Sequence, residues 1–171
     1  IEQEGTYPLP EAQLDRFLVQ VEIGYPDRAT ERAILLATTG SVQDRPHRVL
    51  DAAALIEAQA LVRAMPVGEA VTAAILDLVR AARPGEPDAP GWLADTLVWG
   101  PGPRAAQALM LLTRARAVLH GRLAPSLDDV AAMAAPVLRH RMALSFAARA
   151  RGDGIEAVIA RLVEPALGAA A

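Results

Sequence analysis

Apolar residues recur with the 3.6-residue spacing of amphipathic helices along most of this 171-residue chain. The clearest case is residues 68–83, in which one helical face would carry Val71, Ile75, Leu78, Val79 and Ala82. Similar patterns predict helices at 27–39, 51–65, 103–120, from Ser126 to a break or kink at Pro136, and around 155–162. The spacing therefore predicts a mainly α-helical protein built as a helical bundle.

The segment 17–23 has a different pattern. Phe17, Val19, Val21 and Ile23 alternate with other residues, which is typical of a strand, and Gly24 would end it. A single strand is not stable alone. We therefore expect it to pair with sequence outside these residues or with another copy of the chain, or else to fold against the helices.

Several residues indicate where the helices begin. Asp51 is suited to cap the helix at 51–65, and Ser126 with Asp129 forms a capping-box pattern. Pro103 fits the first position of the helix at 103–120, where its missing N–H is harmless.

The predicted buried stripe of that helix is Ala105, Ala108, Leu109, Leu112 and Leu119, and we expect Trp92 and Trp99 to pack in the core.

The composition restricts both the core and the chemistry. The chain has 37 Ala and only six aromatic residues, so its core must be made of close-packed aliphatic side chains. It has no Cys, which excludes disulfides, thiolate metal sites and Cys nucleophiles from these residues. All 17 basic residues are Arg. Without Lys, the residues present include no P-loop and no Schiff-base site.

The charge is distributed unevenly along the chain. Residues 1–102 carry a net charge of −7, residues 103–151 carry +6, and residues 152–171 carry −2. The Arg-rich segment 103–151 could attract an anionic partner, or it could be a solvated helical face. Aromatic residues are not interleaved with these arginines, so we do not expect nucleic-acid binding. The three histidines, at positions 47, 120 and 140, are far apart, and we expect no metal site.

Two arginines have positions that could suit phosphate chemistry. Arg104 follows the turn Gly100–Pro103 at the start of a predicted helix, where free N–H groups and the helix dipole attract anions. Arg16 lies between a short helical turn and the predicted strand, from which it could reach a neighbouring molecule. Neither arginine alone is strong evidence for a phosphate-binding site.

Together, these segments resemble the MoxR family of AAA+ ATPases. The first match is the run from Ile1 to Leu18, IEQEGTYPLPEAQLDRFL, which continues through Gly24-Tyr25-Pro26. The second is Gly102-Pro103-Arg104-Ala105, and the third is Ser126–Val130 with Pro136–Arg141. Order and spacing agree over most of the chain.

The resemblance implies that residues 1–26 are the end of an AAA+ α/β core with its last strand, and that residues 27–171 are the helical lid. It implies that Arg16 is an arginine finger acting on a neighbouring subunit. It also implies that Arg104 is sensor 2, contacting the ATP γ-phosphate beside Gly102 and Pro103. ATP and Mg²⁺ would be bound mainly by residues upstream of this chain, and none tightly by the chain itself.

The family further implies a homo-oligomeric ring, expected to be a hexamer, that remodels or matures an unidentified client protein in the cytoplasm. No apolar run is long enough to cross a membrane, so no membrane partner is expected. The alternative is a helical interaction module without enzymatic activity that docks an acidic partner through segment 103–151.

Overall fold

The computed structural model describes residues 9–40 and 46–168. The beginning of the family-like run, residues 1–8, lies outside the described residues. The chain divides into two compact units. One comprises the residues up to Gln20 together with those from Leu61 onward, and the other comprises Val21–Ala60.

Eight α-helices, two 3₁₀ turns and two short strands make up the described residues. The helices are α1 (Glu11–Leu14), α2 (Arg28–Thr39), α3 (Ala52–Ala64), α4 (Glu69–Ala81), α5 (Pro103–Leu119), α6 (Leu127–Leu138), α7 (Phe146–Arg151) and α8 (Ile155–Gly168). The strands are β1 (Leu97–Trp99) and β2 (Ala143–Leu144), and the 3₁₀ turns are Gly91–Leu93 and Arg139–Arg141.

Helices α2 and α3 begin at aspartate caps. The Asp27 carboxylate accepts a hydrogen bond from Thr30 N at 2.7 Å, and Asp51 accepts one from Ala54 N at 2.8 Å. Each bond satisfies a first-turn N–H that has no partner within the helix. The helices predicted at 27–39 and 51–65 are confirmed.

The core of the larger unit is formed by α4, α5, α6 and α8, which pack against one another. All five residues of the stripe predicted for α4 are buried. Small side chains occupy many contact positions, and those less than 4% exposed include Ala74, Ala82, Ala105, Ala108, Ala117, Ala134 and Ala148. Because alanine adds little bulk, the helix backbones can approach closely, as the composition predicted.

A small antiparallel sheet accompanies the helices and was not predicted. Leu97 of β1 is opposite Leu144 of β2, and Trp99 is opposite Ala143. Both strands are too short to show a pattern of alternation in the sequence. The two tryptophans are half-buried rather than enclosed: Trp92 packs against the core, and its ring lies 4.0 Å from the Arg161 guanidinium.

Residues 17–23 form no strand within the described residues, where the backbone of residues 17–20 bonds the end of α6 and the turn that follows it. A strand that pairs with core sequence outside this chain stays a prediction, whereas the predicted burial of Leu119 was wrong. Phe17 O and Leu18 O accept from Arg141, and Gln20 N donates to Pro136 O at 2.9 Å. Leu119, predicted to be buried, is 86% exposed because it lies in the last turn of α5.

Candidate functional site

The turn that leads into α5 is held by close contacts with the end of α4. A Cβ on Gly100 would lie 2.2 Å from Ala82 O, so only glycine fits there. The Arg83 Nε donates to Pro101 O at 2.9 Å and fastens the turn from the other side. These contacts fix the position at which α5 starts.

Helix α5 begins as the sequence predicted, with Gly102 at its N-cap and Pro103 at its first position. Gly102 has no side chain, and no side-chain hydrogen bond caps this helix. Pro103 has no N–H and Ala105 N donates to Gly102 O at 3.1 Å, so the first turn offers the Arg104 N–H and the positive end of the helix dipole. Arg104 adds a full positive charge to the same turn.

The Arg104 side chain is 55% exposed and forms an ion pair with Asp15. Arg104 Nη1 donates to Asp15 Oδ2 at 3.3 Å. The two residues are 89 positions apart in the sequence. The fold therefore brings the residue that precedes Arg16 to the start of α5.

The same carboxylate also binds a second arginine that the sequence did not single out. Arg141 Nε donates to Asp15 Oδ1 at 3.1 Å, and the Arg141 side chain is only 2% exposed. Asp15 is thus shared by one buried and one exposed guanidinium.

Arg141 also holds the backbone around Arg16. Its Nη2 donates to Asp15 O at 3.0 Å and to Phe17 O, and its Nη1 donates to Val137 O at 2.6 Å. A buried guanidinium needs a partner for each N–H, and backbone carbonyls supply them here. The backbone on both sides of Arg16 is consequently fixed to the end of α6.

Arg16 itself is exposed, and its side chain forms no ion pair with any residue in the described ranges. The structure therefore brings Asp15, Arg104 and Arg141 together, whereas the exposed Arg16 side chain pairs with none of them. Gly102 and Pro103 contribute the helix start beside Arg104.

His140 adds a further contact to this segment. Its Nε2 lies 3.1 Å from Phe17 O, and its Nδ1 is buried and has no hydrogen-bond partner among residues 9–40 and 46–168. Burial lowers the pKa of His140 and outweighs the Phe17 carbonyl, which raises it. Burial also lowers the pKa of Arg141, although Asp15 opposes this effect. The neutral imidazole thus fits the site, donating from Nε2.

The capping box of α6 is confirmed and is part of a larger network. Ser126 N donates to Asp129 Oδ2 at 2.8 Å. Arg122 donates to both carboxylate oxygens, at 2.6 and 2.7 Å, and Arg116 donates to Oδ1 at 2.5 Å. Asp129 is fully buried, and its hydrogen bonds with Arg122 hold its pKa well below the usual range.

Most arginines of segment 103–151 are thus engaged within the chain. Besides those bound to Asp15 and Asp129, Arg151 pairs with Asp153 at 2.8 Å and Arg139 lies 3.7 Å from Glu156. Arg114 Nη1 donates to Arg63 O at 3.3 Å. The excess positive charge that the sequence gives this segment is therefore largely paired within the chain.

Sequence reasoning missed Asp15 and Arg141 as parts of the site. They are 126 positions apart, and an Arg within Arg139–Arg141 carries no mark of burial in a single sequence. The feature of the sequence that could have indicated Asp15 was its position next to Arg16 in the family-like run.

Comparison with known proteins identifies similar sequences and one similar structure. Residues 94–162 match the AAA lid domain. The chain is 33% identical over 168 residues to chaperone MoxR1 of Mycobacterium tuberculosis, covering 96% of this chain and 43% of that protein. It is 32% identical over 169 residues to YeaC of Bacillus subtilis, covering 95% of this chain and 48% of YeaC.

A third relative is protein MoxR of Paracoccus denitrificans, 32% identical over 183 residues, with 97% of this chain and 51% of that protein covered. The crystal structure of a candidate ATPase from Cytophaga hutchinsonii superposes with a TM-score of 0.87 at 27% identity, covering 96% of this chain and 50% of that one. The chain therefore spans about half the length of the relatives it matches. None of the helices in the described part of the chain combines the length and apolar character of a membrane span.

Proposed function

Because this chain belongs to the MoxR family of AAA+ ATPases and includes the family's lid domain, we propose that it senses ATP and completes a neighbouring ATPase site. The parent protein would couple ATP hydrolysis in an oligomeric ring to chaperone-like remodelling of a client. The observation that carries the proposal is the Asp15 cluster, which ties Arg104 at the start of α5 to the segment that bears Arg16.

Arg104 is the proposed sensor 2 residue. It lies in the first turn of α5, where the helix dipole and the Arg104 N–H favour an anion, and more than half of its side chain is exposed. A guanidinium can bind two phosphate oxygens at once. These donors fit the terminal phosphate of a nucleotide, so Arg104 would hold that phosphate, with Gly102 and Pro103 shaping the helix start.

Arg16 is the proposed arginine finger. Its backbone is fixed on both sides by Arg141, while its side chain projects without an internal partner among the described residues. A guanidinium on a rigid support can stabilise the charge that develops during phosphoryl transfer in another subunit. Because donor and acceptor surfaces differ, such an arrangement assembles head to tail and closes into a ring. We expect a hexamer.

ATP supplies the phosphoryl group and Mg²⁺ neutralises its charge when both are bound. The residues present fit only the terminal phosphate. They include no lysine, so the P-loop that cradles the remaining phosphates must come from outside these 171 residues.

The test uses the complete protein and two variants, Arg16→Ala and Arg104→Ala. Arg16→Ala should leave ATP binding unchanged and lower turnover by about 10³-fold or more, as for fingers supplied in trans. Arg104→Ala should weaken ATP binding and also lower turnover. Arg149→Ala is the control, since Arg149 is another exposed arginine of the chain, and it should retain full activity.

Mixed rings distinguish the two roles. An Arg16→Ala subunit should regain turnover when its neighbour supplies Arg16, whereas an Arg104→Ala subunit should not. Full activity of the Arg16→Ala protein alone would show that Arg16 is not a finger. Full ATP affinity and turnover of the Arg104→Ala protein would show that Arg104 is not a sensor.

The alternative, an interaction module that docks an acidic partner through segment 103–151, has less support. Arg116, Arg122 and Arg141 are bound to carboxylates of the chain itself. Those guanidiniums could contact a partner only by breaking charge-assisted hydrogen bonds.

A further inference from the structure

The Asp15 carboxylate binds two arginines that differ in exposure and in how many other bonds they make. Arg141 is 2% exposed and uses its other N–H groups on backbone carbonyls, so it cannot leave without burying unsatisfied groups. Arg104 is 55% exposed, and among the described residues its side chain bonds Asp15 Oδ2 alone, at 3.3 Å. Arg104 is therefore the partner that can exchange.

The position of Asp15 also matters, because the next residue is Arg16. The Asp15 carbonyl and the Phe17 carbonyl on either side of Arg16 both accept from Arg141. Two arginines thus connect this segment to helix ends: Arg141 provides a buried connection to the end of α6, and Arg104 provides an exposed one to the start of α5.

We infer that Asp15 is a positioning residue that couples Arg104 to Arg16. The inference rests on the function proposed above. A terminal phosphate that binds Arg104 must compete with the Asp15 carboxylate, since both are anions seeking the same guanidinium. Once Arg104 turns to the phosphate, the segment of Arg16 loses its tie to α5 and keeps only the tie to α6. The occupancy of a subunit's own nucleotide site would thereby alter the finger that this subunit offers to its neighbour.

The first test measures binding of a fluorescent ATP analogue to the complete protein. Asp15→Asn removes the competing charge while keeping the side-chain shape and an acceptor for Arg141. A partly exposed ion pair of this kind corresponds to about a two- to fivefold change in an equilibrium constant, so the variant should bind the analogue tighter by about that factor. Asp15→Glu keeps the charge and should bind like the wild type. Glu11→Gln is the control, because Glu11 is an exposed acid on α1 four residues earlier.

A double-variant cycle identifies the competitor. In an Arg104→Gln background there is no guanidinium to compete for, so adding Asp15→Asn should leave the affinity unchanged. Equal tightening in both backgrounds would overturn the inference, and so would the absence of any tightening in the wild-type background. Circular dichroism confirms that each variant is folded.

A second readout uses the complete protein and needs no turnover. The 171 residues contain no cysteine, so, once any cysteine elsewhere in the protein is replaced, spin labels can be placed at Gln13→Cys on α1 and Gln107→Cys on α5, both at exposed positions. We expect Asp15→Asn without nucleotide, and the wild type with a non-hydrolysable ATP analogue, to show the same broadened or shifted distance distribution. Identical distributions for the wild type and Asp15→Asn without nucleotide would contradict the inference even if the affinity changed.

The two failures can be told apart. If Arg104→Gln alters neither ATP affinity nor turnover, the sensor role is wrong and the coupling fails with it. If Arg104→Gln weakens binding but Asp15→Asn has no effect, only the coupling is wrong.

Discussion

Replacing Asp129 should destabilise the lid more than any other change at the start of α6. The carboxylate is fully buried and accepts from Ser126 N, from two Arg122 nitrogens and from Arg116. Asp129→Ala removes all these bonds and leaves two arginines without their anion. Because Arg116 and Arg122 are 31% and 37% exposed, water can partly rehydrate them.

The magnitude follows from the parts of this network. Loss of a helix cap costs about 1 kcal/mol. Each partly exposed ion pair adds up to about 1 kcal/mol. Breaking a wholly buried pair would cost roughly 3–5 kcal/mol, and rehydration of the arginines keeps the total at the low end of that range. We expect a loss of about 3 kcal/mol, which for a chain of this size lowers Tm by roughly 10 °C.

Thermal and urea unfolding followed by circular dichroism measure this loss. Asp128→Ala is the matched control, because Asp128 is in the same helical turn but exposed, and its interaction with the helix dipole is worth less than about 1 kcal/mol. The pKa of Asp129 is lowered in the folded chain, so its stabilisation is present above the ordinary carboxyl pKa of 3.8. The gap between wild type and Asp129→Ala should narrow as the pH falls below that value. A loss no larger than that of Asp128→Ala, or a gap that does not narrow in acid, would refute this account.

Two further outcomes are expected. The 171-residue chain alone should not hydrolyse ATP and should bind it weakly or not at all, since it contains no lysine for a P-loop; phosphate release above a no-protein background would contradict this. Burial lowers the pKa of His140 from 6.5, so the unfolded chain binds a proton there more readily and His140 makes the fold less stable as the pH falls below about 6.5. The difference in Tm between the wild type and His140→Gln should therefore shrink between pH 7.5 and pH 5, and a constant or growing difference would contradict the assignment.

The sequence predicted helices well where apolar spacing runs over several turns. The five α4 residues predicted to be buried are buried, and the capping box at Ser126 forms as expected. Of the elements shorter than about two helical turns, the turn before Arg16 was predicted and forms as α1, whereas α7 with six residues and β1 with three were missed. A helical or strand-like spacing of apolar residues becomes visible only over several turns or alternations, and these segments are too short to show one.

Charge was harder to interpret than hydrophobicity. Counting residues gave segment 103–151 a charge of +6, but the count ignores partners far away in the sequence. Asp15 lies outside that segment, yet its single carboxylate pairs with both Arg104 and Arg141 within it. Which arginines remain available to an anion depends on the fold, and a single sequence does not show it.

At residues 17–20, backbone hydrogen bonds to other parts of the chain decide the local structure. The last carbonyls of a helix have no partner within it, and at the end of α6 the N-terminal segment and Arg141 satisfy them. Gln20 N donates to Pro136 O. Arg141 donates to Val137 O and also to Phe17 O and Leu18 O. These groups are therefore already used in this structure, while residues 21–23 make none of these bonds. The bonds from Arg141 also hold the backbone on both sides of Arg16 in place, and the finger role proposed for Arg16 requires that rigidity.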